Sequence, residues 1–213
     1  MNAHPDFDVL LGSDHAGKSS AMTGLAASGS GVRIVSVDDA FLGSGHQLLA
    51  ELRRALVDDV VPGLGRSYSP DFMAALLQTA VVHLRDRVLE SEPTAPVLVD
   101  SYYYKILAKC RLAGVAENPM FDWWRRFPQP RRVLFLDVPP ELAWQRSHAG
   151  AEVNGLEHYG AAPGRASFER YQRDLRKLML EEVRHLPVTF LPPRTSVDRT
   201  VRDITEVIGH VHV

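Results

Sequence analysis

One run of eight residues near the N-terminus combines glycine, lysine and serine at a spacing that suits the binding of phosphate groups. The run fits the pattern G-x-x-x-x-G-K-[ST] and consists of Gly12, Ser13, Asp14, His15, Ala16, Gly17, Lys18 and Ser19. Glycines allow successive backbone N–H groups to turn toward one point, and a following helix presents its positive end there. The pattern therefore predicts a phosphate-binding loop, the P-loop, with Ser20 as a further nucleotide-binding residue.

Two side chains of the P-loop carry the predicted chemistry. Lys18 supplies a positive charge for the β- and γ-phosphates of ATP, and we predict it as a catalytic residue. The Ser19 hydroxyl is a ligand type that Mg²⁺ accepts in such loops. The alternative interpretation is a glycine turn followed by a surface lysine. The pattern favours ATP as the donor and Mg²⁺ as the cofactor.

Acidic residues follow two strand-like segments. Asp38 and Asp39 come after the second segment and Asp100 after the third. In parallel sheets, ligands bind beyond the carboxyl ends of the strands. A carboxylate there can hold Mg²⁺, orient an acceptor or take its proton, whereas helix capping or a solvated turn is the alternative. We predict Asp38 and Asp39 as catalytic residues, Asp39 and Asp100 as acceptor-binding residues, and Asp100 with Ser19 as metal ligands.

The two adjacent acids also bear on the kind of acceptor. An acceptor phosphate is already anionic and needs positioning rather than a base, whereas an acceptor hydroxyl gains from a carboxylate within hydrogen-bond reach. The pair Asp38 and Asp39 therefore favours a hydroxyl acceptor. A role for the pair in holding Mg²⁺ would explain it equally well.

Strand-like and helix-like segments alternate along the chain that carries these residues. Short apolar runs predict strands at Phe7–Leu11, Val32–Val37, Val97–Val99, Val133–Val138 and Val188–Leu191. Apolar spacing and caps predict helices at Lys18–Ala27, Gln47–Val60, Pro70–Glu90, Tyr102–Ala113, Asn118–Phe127, Pro140–Ser147, Ser167–His185 and Val197–His210. The alternation predicts one α/β domain over residues 1–213, a parallel sheet with helices on both faces. Residues 148–166 lack periodicity, and we predict a lid there.

Composition limits the partners of the chain. The 213 residues carry a formal net charge of −2, which does not call for nucleic acid or an anionic membrane as a partner. No apolar run approaches the roughly 20 residues that span a bilayer. A lone cysteine, Cys110, excludes a disulfide within the chain. We therefore expect a cytoplasmic protein with a small-molecule acceptor, no nucleic acid and no membrane.

Several segments together resemble the thymidylate kinase family of P-loop nucleotide kinases. GSDHAGKSS resembles that family's G-x-D-G-x-G-K-S-T, and VLFLDVPPELAWQR resembles its L-D-V-P-P-E segment. SPDFMAALLQTAVVHL resembles its Leu-Leu-rich substrate helix, while VLVDSYYYKILA stands where the family has Asp-Arg-Tyr. SFERYQRDL and the C-terminal TSVDRTVRDI also fit, so the resemblance covers nearly the whole length. It implies the P-loop kinase fold with strand order 2-3-1-4-5, the use of ATP and Mg²⁺, a lid over the phosphates and a homodimer.

The chain departs from the family mainly at the acceptor end. Ser101 replaces the arginine of Asp-Arg-Tyr, Gln78 stands in place of a base-stacking phenylalanine, and Val82 in place of a pyrimidine-reading arginine. After the second strand, residues 38–41 replace a Glu-Pro-Gly-Gly run and are similar to uridine-kinase-like small-molecule kinases. The loss of one ring and two arginines removes much of what would hold thymidine monophosphate. We therefore expect an acceptor other than thymidylate.

The predicted lid departs from the family as well. The family carries several arginines in the lid or one in the P-loop, whereas here residues 147–164 contain no Arg or Lys and His15 occupies the P-loop position. Arg146 and Arg165 flank the lid, and we predict that they stabilise the transferring phosphoryl group. Ordinary solvation at helix ends is the alternative for both.

On the acceptor side, Gln78, Tyr102 and Lys105 join Asp39 and Asp100 as predicted acceptor-binding residues. Together with the P-loop they predict an ATP-dependent kinase that transfers the γ-phosphoryl group to a nucleoside, a nucleotide or a related metabolite. One alternative is a nucleoside monophosphate kinase of thymidylate type with an altered pocket. Another is a non-catalytic nucleotide-binding regulator.

Overall fold

The computed structural model describes residues 6–91 and 95–209. Its strands are β1 (Asp8–Gly12), β2 (Arg33–Val35), β3 (Val97–Asp100), β4 (Arg132–Leu136) and β5 (Val188–Leu191). Its helices are α1 (Lys18–Ala27), α2 (Gln47–Ala55), α3 (Pro70–Leu89), α4 (Tyr104–Leu112), α5 (Pro119–Arg125), α6 (Pro140–Arg146), α7 (Arg165–Glu182) and α8 (Val197–Gly209). The predicted end of the last helix, His210, and residues 1–5 of the predicted domain lie outside the described residues.

All five strands form one parallel sheet in the order β2-β3-β1-β4-β5. The predicted α/β architecture and strand order are therefore confirmed. The central strand β1 pairs with β3, Leu10 opposite Asp100, and with β4, Gly12 opposite Leu136. Because the strands are parallel, the carboxyl ends of β1, β2 and β3 lie at the same edge of the sheet.

Two apolar layers cover the sheet and explain why β1 is apolar along its length. Val9 and Leu11 belong to a core that includes residues of α3, α4 and α7. Leu10 belongs to the other core, which includes residues of α1 and α8. All three side chains are completely buried. Side chains alternate between the faces of a strand, so a strand buried on both faces has no polar periodicity.

Two predicted helices differ from the observed ones near the carboxyl edge of the sheet. The predicted helix Tyr102–Ala113 begins only at Tyr104, because Ser101 and Tyr102 adopt left-handed backbone angles, with φ of 56° and 45°. The predicted helix Gln47–Val60 is α-helical to Ala55 and then widens into a π-helical turn before Pro62. No helix within the described ranges is both long and apolar enough to cross a membrane.

The helices α1 and α8 approach closely at Gly24. A Cβ atom at this position would lie 2.8 Å from Val201 Cγ2 and 3.2 Å from Val197 Cγ1. The first distance is shorter than real Cβ contacts, so even a methyl group would force the helices apart. Glycine is therefore required here by packing, although it lowers the intrinsic stability of the helix.

We expect Gly24→Ala to lower the free energy of unfolding by about 1–2 kcal/mol. Overpacking costs about 1–3 kcal/mol, and the better helix propensity of alanine offsets part of this. Denaturant unfolding followed by circular dichroism measures the change. Thr23→Ala on the exposed face of the same helix is the control and should change stability by less than about 0.5 kcal/mol. Equal stability of both variants would contradict the close contact.

Candidate active site

A cavity of about 870 Å³ opens at the carboxyl edge of the sheet. It is lined by residues 14–21, which comprise most of the P-loop and the first turn of α1, and by the chain segments at the ends of β2 and β3. Residues of α2 and α3 and parts of segments 146–157 and 194–200 complete the lining. A volume of this size accommodates a typical small-molecule ligand. Gly12 and Ser13 do not line the cavity. The predicted P-loop thus meets a chamber that extends toward α2 and α3, where a second ligand can lie.

The backbone of the P-loop adopts left-handed angles at two positions. Gly17 precedes α1 with φ of 93°, which favours glycine. His15 has φ of 55°, a left-handed angle that residues other than glycine rarely adopt. A non-glycine residue there costs roughly 1–2 kcal/mol. The His15 ring is held by Glu157, with Nε2 and Oε2 3.1 Å apart, and lies 6.0 Å from the Phe168 ring.

Lys18 folds back over the P-loop. Its ammonium donates to the carbonyl oxygens of Gly12 at 3.1 Å and Ser13 at 3.2 Å. Burial, and secondly the nearby ammonium of Lys105, lower the pKa of Lys18 to about 7. A phosphate group in the loop would supply the negative charge that restores the protonated form.

The carboxylate of Asp14 is buried in the P-loop and anchors it to two helices. Lys105 Nζ lies 2.7 Å and Lys109 Nζ 3.0 Å from Asp14 Oδ1, and both lysines belong to α4. Gln172 of α7 accepts from the Asp14 backbone N–H and donates to Asp14 Oδ2. Burial alone would raise the pKa of the Asp14 carboxyl, but the two ammonium groups outweigh it and hold this pKa below its usual range. Asp14 is therefore ionised and part of a buried ion cluster.

Hydroxyl and carboxylate oxygens meet where β2 and β3 end. Ser19 Oγ donates to Asp38 Oδ2 at 3.1 Å. Ser36 Oγ donates to Asp100 Oδ2 at 3.0 Å, and Ser101 Oγ donates to Asp100 Oδ1 at 2.9 Å. Such oxygens fit Mg²⁺, which takes few protein ligands and completes its shell with phosphates and water. Within residues 6–91 and 95–209 no three His, Cys, Asp or Glu side chains form a metal-binding group.

The structure brings some of the predicted site residues together and leaves others apart. Of the predicted residues outside the P-loop segment, those that line the cavity are Asp38, Asp100, Tyr102, Lys105 and Arg146. Those outside the P-loop segment that do not line it are Asp39, Gln78 and Arg165. Tyr102 is completely buried, and its hydroxyl has no hydrogen-bond partner among the described residues.

Each of the residues away from the cavity has its own surroundings. The Asp39 side chain is 64% exposed, and its carboxylate lies 3.8 Å from Arg53 Nη1. Arg165 is 62% exposed and forms an ion pair with Glu169 at 2.7 Å. Gln78 is half-buried on α3, and its Oε1 has no partner among the described residues. The predicted roles of these three residues stay predictions.

Arg146 reaches the opposite end of the P-loop. Its Nη1 donates to the Ala16 carbonyl oxygen at 2.9 Å, and its Nη2 donates to the Arg194 carbonyl oxygen at 3.1 Å. Burial lowers the pKa of this guanidinium. Arg146 therefore links the loop to the segment between β5 and α8, on the side away from α2 and α3.

The predicted lid contains no helix or strand between residues 148 and 164. Glu157 in this segment is buried and accepts hydrogen bonds from Asn154, both from its amide side chain at 2.8 Å and from its backbone N–H. Its carboxylate also contacts His15, and Lys109 Nζ lies 4.0 Å away. The segment is thus connected to the P-loop through charged and polar contacts.

Several polar residues around the P-loop were not predicted from the sequence, among them Ser36, Lys109, Glu157 and Gln172. Lys109 follows Lys105 by four residues and so shares its helix face, a signal that could have been used. Ser36 lies in the segment before Asp38 and could have been considered with it. Glu157 and Gln172 reach the loop through contacts across 142 and 158 residues, for which a single sequence carries no signal.

The parallel sheet order and the P-loop define the thymidylate kinase-like P-loop kinase fold. No protein-family description matches the chain, and no curated protein is significantly similar to it. Among solved structures, thymidylate kinase from Candida albicans superposes with a TM-score of 0.63 at 14% identity, covering 99% of this chain and 93% of that one. Deoxyadenosine kinase from M. mycoides with bound dATP gives 0.60 at 13% identity, covering 96% and 99%. At such identities the similarity establishes the fold alone.

We expect the binding of Mg·ADP to take up a proton above neutral pH. Lys18 has a pKa of about 7, so it is already protonated below pH 7 and must gain a proton at pH 8 to pair with phosphate. The Kd should therefore rise between pH 7 and pH 9, by at most about tenfold per pH unit. Calorimetry in buffers with different ionisation enthalpies measures the uptake. A Kd that stays constant with pH, and a binding enthalpy that does not depend on the buffer, would contradict the lowered pKa of Lys18.

Proposed function

We propose that the protein is a kinase that transfers the γ-phosphoryl group of Mg·ATP to a hydroxyl group of a nucleoside or a related small molecule. The observation that carries this proposal is the cavity itself. It joins the P-loop, with Lys18 and Ser19, to a chamber lined by Asp38, which follows β2, and by Asp100, the last residue of β3. The loop suits the donor, and the carboxylates suit an acceptor hydroxyl.

The donor half of the site holds the triphosphate. The loop amides and the N-terminal end of α1 face the phosphates, and the protonated Lys18 neutralises their charge. Arg146 lies between the P-loop and segment 194–200. In that segment the hydroxyl groups of Thr195, Ser196 and Thr200 line the cavity, where they can bind the sugar or base of the nucleotide. Ser19, with Asp38 or Asp100, would hold Mg²⁺, which when bound neutralises charge on the phosphate oxygens.

The acceptor half combines an apolar wall with few polar groups. Aliphatic side chains of α2 and α3 form the wall: Leu49, Leu52, Leu76, Leu77, Ala80 and Leu84. Asp38 and Asp100 stand between this wall and the P-loop. A carboxylate here can orient the acceptor hydroxyl and accept its proton as the new P–O bond forms. The acceptor is therefore a molecule whose hydroxyl group faces the carboxylates and whose remaining part is apolar enough to pack against the leucines.

A nucleoside monophosphate is the second candidate for the acceptor. Arg53 lines the cavity, and its contact with Asp39 is long at 3.8 Å, so its guanidinium could receive an acceptor phosphate. The two acids at the junction favour the hydroxyl acceptor, because a phosphate acceptor would be repelled by them and needs no base.

A transfer assay with a radioactive γ-phosphoryl group tests the proposal. Mg·ATP is offered with pools of nucleosides, deoxynucleosides, their monophosphates and small metabolite alcohols. We expect labelled product from a hydroxyl acceptor, and we expect Lys18→Ala to abolish nucleotide binding or turnover. Product from monophosphates alone would support the second candidate. Nucleotide binding without any product would support a non-catalytic regulator, and full activity of Lys18→Ala would refute the P-loop assignment.

Once an acceptor is known, Asp38→Asn tests the role of the carboxylate. We expect kcat to fall by about 10²- to 10⁴-fold, because the amide can neither accept the proton nor supply the charge. Asp59→Asn is the control, since Asp59 is exposed after α2 and does not line the cavity. If Asp38→Asn changes kcat little and Asp39→Asn lowers it strongly, the carboxylate that accepts the proton is that of Asp39.

A further inference from the structure

The cavity concentrates the lysines of a chain whose basic residues are mostly arginines. Of the 24 Lys and Arg residues, only Lys18, Lys105, Lys109 and Lys177 are lysines. Three of the four line the cavity, while Lys177 is exposed on α7. An ammonium is a compact point charge, whereas a guanidinium is a planar fork. The concentration of ammonium groups at one place indicates a ligand with localised negative charge.

Lys105 is placed where the two halves of the cavity meet. It lies in the first turn of α4, directly after the left-handed turn at Ser101 and Tyr102. Its side chain is only 13% exposed, and its Nζ lies 2.7 Å from Asp14 Oδ1 in the P-loop. Burial acts to lower the pKa of Lys105, but the Asp14 carboxylate outweighs it and raises this pKa above its ordinary value. Lys105 is therefore a largely buried ammonium group that is paired with Asp14 and lies close to Lys18.

Most of the other basic groups near the cavity are occupied elsewhere, and Arg53, on the acceptor side, lies 3.8 Å from the Asp39 carboxylate. Arg165 is exposed and paired with Glu169, and residues 147–164 contain no Arg or Lys. Arg146 donates to two backbone carbonyl groups on the donor side. Arg194 forms an ion pair with Asp203. Of the basic residues in the described ranges, Lys105 and Lys109 are those paired with the P-loop carboxylate.

The Asp14 carboxylate is shared by two ammonium groups. One carboxylate, that of Asp14, holds the ammonium groups of both Lys105 and Lys109. Lys109 can share its charge with Glu157 at 4.0 Å, whereas Lys105 shares its Asp14 oxygen with Lys109. The γ-phosphoryl group of a nucleotide in the P-loop would bring further negative charge to these ammonium groups.

We propose that Lys105 is a catalytic residue that contacts the transferring γ-phosphoryl group beside Lys18, and that Lys109 positions Lys105 through Asp14. This inference rests on the proposed kinase function. During transfer, the bond from the γ-phosphorus to the β,γ-bridging oxygen breaks and a bond to the acceptor oxygen forms. The acceptor proton goes to a carboxylate, Asp38 or Asp100. Lys105 keeps its proton and neutralises negative charge on the oxygens of the transferring γ-phosphoryl group.

Binding of two nucleotides separates this role from a purely structural one. Mg·ADP lacks the γ-phosphoryl group, and Mg·AMP-PNP, a non-hydrolysable analogue of Mg·ATP, carries it. We expect Lys105→Met to weaken Mg·AMP-PNP binding by about tenfold or more and to change the Kd of Mg·ADP by less than about threefold. Lys105→Arg, which keeps the charge, should recover most of the loss. The control Lys177→Met should bind both nucleotides as the wild type does.

The outcomes distinguish the inference from the proposed function. Equal losses for the two nucleotides, or no loss for either, would overturn the role of Lys105. A wild-type protein that binds neither nucleotide would refute the kinase proposal itself. Lys105→Met leaves the buried Asp14 carboxylate with one fewer positive charge and could therefore fail to fold. In that case the double variant Asp14→Asn/Lys105→Met removes both charges together. The same selective loss for Mg·AMP-PNP in the double variant would support the inference, and equal binding of both nucleotides would overturn it.

Discussion

The buried carboxylate of Asp14 is the interaction on which the geometry of the site depends. A charge this deep in the protein is tolerated only if cations and hydrogen-bond donors surround it. Lys105 and Lys109 of α4 and Gln172 of α7 fill that need, so Asp14 fixes the P-loop to two helices on one side of the sheet. The same contacts place the ammonium groups of Lys105 and Lys109 at the edge of the P-loop, where phosphates would lie. A single ionised group thus connects folding with the electrostatics of the cavity.

The sheet and the P-loop were predictable because their signals are local. Apolar runs such as Val133–Val138 depend on neighbours only a few residues away, and the resemblance supplied the strand order. The start of α4 was not predictable in this way. The left-handed angles at Ser101 and Tyr102 occur where the chain leaves β3, and the Ser101 N–H donates to the Leu10 carbonyl oxygen of β1 at 2.9 Å, which is a tertiary contact. Propensity alone extends the helix through both residues.

The acceptor side was predicted less completely, for a related reason. Asp38 and Asp39 are adjacent in sequence, yet only Asp38 lines the cavity and meets Ser19, because neighbouring side chains after a strand leave the backbone in different directions. Likewise, Arg146 and Arg165 looked equivalent as flanks of the predicted lid, but only Arg146 contacts the P-loop. Residue type and strand position identified the region, whereas the direction of each side chain required coordinates.

Hydrogen–deuterium exchange of the P-loop amides tests the central claim, that residues 12–19 hold the phosphates of a nucleotide. We expect Mg·AMP-PNP to slow exchange of the amides between Ser13 and Ser19 by about tenfold or more, because phosphate oxygens accept from them. Exchange within Asn154–Glu157 should slow as well, since Glu157 contacts the loop through His15. The Lys18→Ala variant should show no such protection. Unchanged exchange of the wild-type loop at saturating Mg·AMP-PNP would contradict the account.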